Sequence, residues 1–209
     1  MRRPGDKKER LSGEERRAEI LDAALRLFAA KGFSGTRTRE IASAAGISET
    51  LIFQHFKTKE QLYRAALGRI FAEHPVMPDV QEMMAGKDDL GVFRTVALHL
   101  IRHNRQDPRI MRLAVFSALE GFSMAELVHQ GKDTVGPPLP ELLSSYIRQR
   151  VRDGAFKKVD ADVVGKLFVD TMYAFVLDQE TSISGPPLGL SDEETVDVYV
   201  RVLVDGLRA

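Results

Sequence analysis

The chain has 209 residues, 44% of them hydrophobic, enough for the core of one large domain or two small ones. It contains no cysteine, which excludes disulfides and thiolate metal sites, and its zero net charge argues against a surface uniformly basic for nucleic acid. No apolar run approaches a membrane span and residues 1 to 17 are charged where a secretory signal would be apolar, so a cytoplasmic protein with no membrane partner is expected.

The charge is unevenly spread. Residues 1 to 59 carry 13 Lys+Arg against 8 Asp+Glu, a balance of +5, and the remainder carries 17 against 22, a balance of −5. A positive head on a negative body suits contact with DNA through one end.

Residues 1–11, with Arg2, Arg3, Lys7, Lys8 and Arg10, have almost nothing to bury and form a disordered basic tail, either merely solvated or an arm reaching DNA. Ser12 and Glu15 make a capping box that opens the first helix. Its apolar stripe is Ile20, Ala23, Ala24, Leu27 and Phe28, and Gly32 stops it.

Residues 38 to 56 read as two short helices joined by a tight turn. Ile41, Ala42 and Ala45 share a helical face, Gly46 permits the turn, and Ser48 caps the second helix. With Ile52 as the buried centre, a step of about 100° per residue sets Phe56 beside it and turns Thr50, Phe53 and Gln54 outward. Small Ala42 lets the helices cross closely, as a helix-turn-helix requires if its second helix is to enter a major groove.

Within residues 20 to 62, Gly32-Phe33, Thr36, Arg39-Glu40-Ile41-Ala42, Ala45-Gly46-Ile47-Ser48, His55-Phe56 and Lys59-Glu60-Gln61-Leu62 resemble the DNA-binding domain of the TetR (tetracycline repressor) family of bacterial regulators. The recognition helix departs from the family pattern. Thr50-Leu51-Ile52-Phe53 stands where the family usually has Gly-Thr-Leu-Tyr, so a hydroxyl is lost at 51 and another at 53. Leu51 is left with apolar contacts such as a thymine methyl.

After the recognition helix, Thr58 and Gln61 form a second capping box, opening a helix over Lys59 to Glu73. Asp88 to Arg105 reads as a helix with Phe93, Val96, Ala97, Leu100 and Ile101 on its apolar face, and Asn104 lies within that face. Asp107-Pro108 starts another helix, through Leu119, and a short segment at 123–129 and a loop at 131–138 follow. A helix over 140–153 ends at Gly154. Residues 161 to 179 are apolar nearly all round, which requires cover on more than one side. The last segment, 191 to 207, opens with a Ser191/Glu194 box, yet Val196, Val198, Val200, Val202 and Val204 alternate as in a strand. The box and the absence of a partner strand favour a helix.

The fold class expected is therefore all-α. The organisation is a three-helix helix-turn-helix domain at 12–58 followed by a helical ligand-binding and dimerisation domain at 59–209.

No residues pair at catalytic spacing and no glycine-rich phosphate loop occurs, so neither an enzyme nor a cofactor is expected. His99 and His103 lie one helical turn apart but lack a third ligand, so no metal is assigned. The resemblance implies a transcription regulator, a repressor by family habit, that binds a palindromic double-stranded operator as a homodimer and is released by a small-molecule effector. Its DNA-binding residues would be Thr36, Thr38, Arg39, Ser48, Thr50, Leu51, Phe53, Gln54, His55, Lys57 and Lys59. Ligand contacts are expected from Phe93, Leu100, His103, Asn104 and Met111, although Asn104 reads equally as a core amide bonded to backbone. The dimer interface is expected at Phe168, Met172, Phe175, Val176, Tyr199 and Leu203. The alternative is an α-helical protein-binding or scaffold protein without DNA function.

Overall fold

The computed structural model describes residues 12–72, 78–122, 138–186 and 188–209. The basic tail, the segment at 123–129 and all of the 131–138 loop but Pro138 lie outside the described residues. The helices are α1 (Gly13–Gly35), α2 (Thr38–Ala44), α3 (Glu49–His55), α4 (Lys59–Ala72), α5 (Pro78–Ala85), α6 (Asp89–Gln106), α7 (Arg109–Leu119), α8 (Leu139–Arg152), α9 (Ala161–Thr181) and α10 (Asp192–Leu207). Among the described residues no helix is long and apolar enough to cross a membrane.

The chain divides into two compact units, Met1–Ile70 with Arg112–Gly131, and Phe71–Met111 with Lys132–Ala209. The expected division at residue 58 falls inside the first unit. There α4 buries Leu62, Tyr63, Ala66, Leu67 and Ile70. The Tyr63 ring stands edge-on to Phe28 of α1 at 4.8 Å, and its hydroxyl lies 2.6 Å from that of Ser117 on α7.

In the first unit, the Ser12/Glu15 box opens α1 as the sequence indicates, and Ile20, Ala23, Ala24 and Phe28 are buried. Gly32 does not end the helix. It breaks it at φ 72°, and a final turn continues to Gly35. The guanidinium of Arg69 ties α4 back to α1, donating to the Ala18 carbonyl at 2.8 Å and pairing with Asp22 at 3.1 Å.

In the second unit, α8 and α9 pack closely because Gly165 presents no side chain: a Cβ there would lie 2.6 Å from Ser144 Oγ and 2.9 Å from the Pro140 carbonyl oxygen. A carboxylate between helices fixes the end of α8. Asp89 accepts from Arg150 Nε at 2.7 Å, Arg150 Nη2 at 3.0 Å and the Tyr146 hydroxyl at 2.6 Å. Burial first, and then the hydrogen bond to Asp89, raise the Tyr146 hydroxyl well above the ordinary tyrosine range.

The alternating valines resolve as a helix. Two residues advance a helix by about 200°, so a period of two also writes two opposite helical stripes. Val196, Val200 and Val204 are buried, whereas Val198 and Val202 remain 62% and 69% exposed. Polar contacts set the register of α10 on α6: Arg94 to Asp197 at 2.6 Å, Arg102 to Glu193 at 3.0 Å and Arg105 to Asp192 at 2.6 Å. These pairs are exposed and worth about 0–1 kcal/mol each, so the buried valines hold the helix in place.

Candidate nucleic-acid interface

The turn between α2 and α3 is built from backbone. Gly46 adopts φ 65°, its N–H donates to the Ser43 carbonyl at 3.2 Å, and the Ile47 N–H reaches the Ala42 carbonyl at 3.0 Å. These bonds close the C-terminus of α2 in the left-handed manner that glycine favours. Ser48 then accepts the Leu51 N–H at 3.3 Å, starting α3.

Ile41, Ala42, Ile52 and Phe56 are buried, so the motif is anchored along one side. The guanidinium of Arg17 lies 4.5 Å above the Phe56 ring. This fixes the other side by elimination. Thr50, Phe53 and Gln54 are exposed on α3, Phe53 at 44%, and Leu51 and His55 are half-buried. The surface thus offers a hydroxyl, an amide and an aromatic face side by side, groups that read base edges and stack near sugars.

Arg39 is exposed at the start of α2, and the two carboxylates nearest in sequence are engaged elsewhere. Glu40 takes the Lys31 ammonium at 2.7 Å and the Arg37 N–H at 2.9 Å, while Glu49 bonds the Thr38 hydroxyl. The Lys31 contact, then the Arg37 N–H, hold the Glu40 carboxyl below its ordinary range. No ion pair of Arg39 occurs among the described residues, which leaves its five donors for a phosphate or base.

Four expected contacts have another use. Thr36 is fully buried, and its hydroxyl donates to the Gly32 carbonyl at 2.7 Å, so it shapes the corner between α1 and α2 and is corrected from a DNA contact to a packing residue. The Thr38 hydroxyl links α2 to Glu49 of α3, and the Ser48 hydroxyl caps α3. The Lys59 ammonium stands 4.2 Å over the Phe33 ring, and partial burial lowers its affinity for a proton. Lys57 stays exposed, its N–H donating to Gln61 Oε1 at 3.0 Å while Thr58 accepts the Gln61 N–H at 3.1 Å. Arg17 and Arg37, exposed and basic, escaped the sequence reading. A local motif gives no signal for Arg17, which reaches the motif only by tertiary packing.

The expected ligand residues do not converge. Phe93 is buried edge-on to Phe168 at 5.1 Å, and Leu100 and Met111 are buried as well. The half-buried His103 ring stacks on His99 at 5.2 Å. Asn104 alone among them lines a described cavity, one of about 120 Å³ shared with Ile101, Phe175 and Val176. A neighbouring cavity of about 110 Å³ is bounded by Met172, Phe175 and Tyr199, residues expected at an interface. Phe168, Met172 and Val176 are buried within the subunit, so they are corrected from dimer contacts to core. Phe175, Tyr199 and Leu203 are partly exposed, and Val163 and Leu167 stand out on α9 at 52% and 58%.

Residues 20–66 match the model of the family described as bacterial regulatory proteins, tetR family. The chain is 28% identical over 202 residues to the HTH-type transcriptional regulator RutR of Escherichia coli strain K12, covering 90% of this chain and 89% of that one. It is 30% identical over 135 residues to the HTH-type regulator AcrR of Shigella flexneri, covering 60% of each. Its fold is similar to the crystal structure of HlyIIR, a hemolysin II transcriptional regulator, at TM-score 0.65 and 18% identity, covering 95% of this chain and 99% of that one. It is also similar to the fatty acid degradation regulator FadR from Bacillus halodurans, at TM-score 0.65 and 15% identity, covering 94% and 97%.

Proposed function

The chain belongs to the tetR family of bacterial regulatory proteins, a DNA-binding transcription regulator and not an enzyme, and from that premise we propose that it is a cytoplasmic repressor that binds a palindromic operator as a homodimer and leaves it when a small molecule binds. The observation that carries the reading is the outward set Thr50, Phe53 and Gln54 on a helix pinned from behind by Ile52 and Phe56.

Thr50 and Gln54 read base edges, with Arg39 beside them. A glutamine amide matches the paired acceptor and donor of adenine in the major groove, and the threonine hydroxyl serves either partner. Phe53, His55 and Lys57 meet the sugar-phosphate backbone, and Leu51 packs on a thymine methyl. Lys59, held over Phe33, supplies charge from a second rank.

Dimerisation follows from apolar surface that one subunit leaves uncovered. Val163 and Leu167 on α9, and Val198 and Val202 on α10, each form an i, i+4 stripe exposed by more than half. Two-fold pairing of such stripes sets two recognition helices about 34–36 Å apart, one turn of duplex. The first compact unit acts as the DNA-reading head, and the second carries dimerisation and sensing.

Selection of bound fragments from random duplex DNA tests the reading. An inverted repeat with half-sites about one helical turn apart, or a multiple, is expected. Failure to enrich any duplex at low salt, where phosphate contacts are strongest, overturns it in favour of a protein-binding role.

A further inference from the structure

The folded part of the DNA-reading head is close to neutral. Residues 1–11 hold five Lys+Arg against two Asp+Glu, a balance of +3, which leaves only +2 for residues 12–59. Several cations of that folded part are already engaged. Arg16 pairs with Glu19, Lys31 with Glu40, and Lys59 stands over the Phe33 ring. Arg26 lies nine residues beyond Arg17 on α1, a turn of about 900°, so it points to the opposite side of the helix. The recognition helix adds few polar anchors, since Leu51, Ile52 and Phe53 carry no hydrogen-bonding group. Most of the positive balance of residues 1–59 therefore precedes the first helix.

The point where the chain enters the fold fixes what those charges reach. The Arg17 guanidinium lies 4.5 Å over the ring of Phe56, the residue that closes α3, and the exposed Lys57 follows it. Ser12, the cap of α1, is five residues before Arg17, about 8 Å along the helix axis. Residues 1–11 thus join the fold at the flank of the recognition helix. With α3 in a major groove, one sugar-phosphate strand separates that flank from the neighbouring minor groove, about half a turn or 17 Å along the duplex. Ten residues in extended form span about 33 Å, so the outermost pass that strand.

The order of residues suits this path. Lys7, Lys8 and Arg10, with Asp6 and Glu9 among them, lie nearest the fold, where the phosphates are. Pro4 holds Arg3 extended, because its ring disfavours helical angles at the residue before it. Arg2 and Arg3 lie furthest out, two guanidinium groups on a thin backbone. A narrow A·T-rich minor groove concentrates negative potential, which draws inserted arginine.

We propose that residues 2–11 are a second DNA-binding element, which leaves the fold beside Phe56, crosses one phosphate strand and places Arg2 and Arg3 in an A·T-rich minor groove flanking each half-site. This rests on the operator reading above and adds to it a contact outside the helix-turn-helix.

The test compares the full-length protein with a form lacking residues 2–11, which keeps Ser12 and Glu15 and hence the cap of α1. A full-length Arg2→Gln, Arg3→Gln variant removes the two guanidinium groups alone. Selection from random duplex DNA should give all three the same inverted repeat, with A·T pairs enriched at its flanks only by the unaltered protein. On that duplex, deletion should weaken binding about tenfold at physiological salt and reduce the slope of log affinity against log salt by about 3 per subunit. Replacing the flanking A·T pairs by inosine·cytosine, whose minor-groove edge matches A·T, should leave binding by the unaltered protein intact. Replacing them by G·C, whose guanine amino group enters that groove, should weaken it. Identical flanks, slope and affinity with and without residues 2–11 overturn the proposal, as does tighter binding after deletion. Equal loss from inosine and guanine also overturns it, because the flank is then read in the major groove. One inverted repeat with the same flanks from every form leaves the operator reading standing, whereas no enriched duplex from any form removes both.

Discussion

Glu120 accepts the backbone N–H of Phe33, 87 residues earlier, at 2.8 Å through Oε2, and its other oxygen takes the Ser34 N–H at 2.8 Å. The break at Gly32 leaves these donors without intrahelical partners, and a carboxylate from beyond the end of α7 replaces them. A Cβ on Gly32 would lie 2.9 Å from Glu120 Oε1 and 2.9 Å from the Phe116 ring. Glu120→Ala should therefore destabilise the protein by about 1–3 kcal/mol, and Glu120→Gln, which keeps one acceptor, by less. Gly32→Ala should be costly as well, because φ there is 72° and the space is filled. Thermal unfolding measures all three, and an unchanged Glu120→Ala would show that water substitutes for the carboxylate.

Base reading and phosphate binding separate by their response to sequence. Gln54→Ala should cost about 1–3 kcal/mol on the selected operator and little on random DNA. Lys57→Ala should weaken both alike and reduce the slope of log affinity against log salt by about 1. Fluorescence anisotropy at several salt concentrations distinguishes them. Equal weakening on both duplexes by Gln54→Ala would remove it from the base-reading set.

Leu167 is 58% exposed and Val202 69% exposed, so a charge at either position should leave the subunit core intact. Leu167→Glu and Val202→Glu should sediment as monomers with unchanged helical circular dichroism, since a charge buried in an interface lacks a partner. A variant pair that remains dimeric would place the interface elsewhere.

Gly165→Ala should destabilise despite the better helix propensity of alanine. The gain is about 1 kcal/mol, whereas the new methyl meets the Pro140 carbonyl at 2.9 Å and Ser144 N at 3.0 Å, backbone atoms that move only with α8. Overpacking of this kind costs about 1–3 kcal/mol, so a net loss is expected in denaturant titration. A gain in stability would mean that α8 and α9 separate easily.

Tyr63, Tyr146 and Tyr173 hold their protons more tightly than an ordinary tyrosine. Burial raises the hydroxyls of Tyr63 and Tyr173, and burial with the Asp89 hydrogen bond raises that of Tyr146. A group that holds its proton more tightly when folded contributes stability that is complete below the unfolded value of 10.0 and declines as pH rises above it. Stability should fall above about pH 10, and Tyr146→Phe should flatten that decline. Urea unfolding between neutral pH and pH 11 checks this, and identical slopes for the two proteins would show that Tyr146 does not participate.

The helix-turn-helix was legible in the sequence because it is built from contacts close along the chain. Gly46 sets the turn, Ser48 the cap, and the spacing of Ile52 and Phe56 the buried side, so Thr50, Phe53 and Gln54 turn outward by geometry alone. Helix content elsewhere was legible for the same reason, from capping boxes at Ser12 and Ser191 and from the Thr58 cap, although the Gln61 side chain there takes the Lys57 N–H and leaves that box half formed.

What the sequence left open was which face of an ambiguous helix goes inward. Residues 161 to 177 are apolar nearly all round, and only packing on α8 and α6 buries Phe168, Met172 and Val176 while leaving Val163 and Leu167 outside. The five alternating valines are the same problem in another form, settled by the side α6 occupies. Thr36 and Asn104 show it for polar groups. A hydroxyl or amide carries no local mark of burial, and whether it meets a carbonyl, a cavity or water depends on chain brought from elsewhere in the fold.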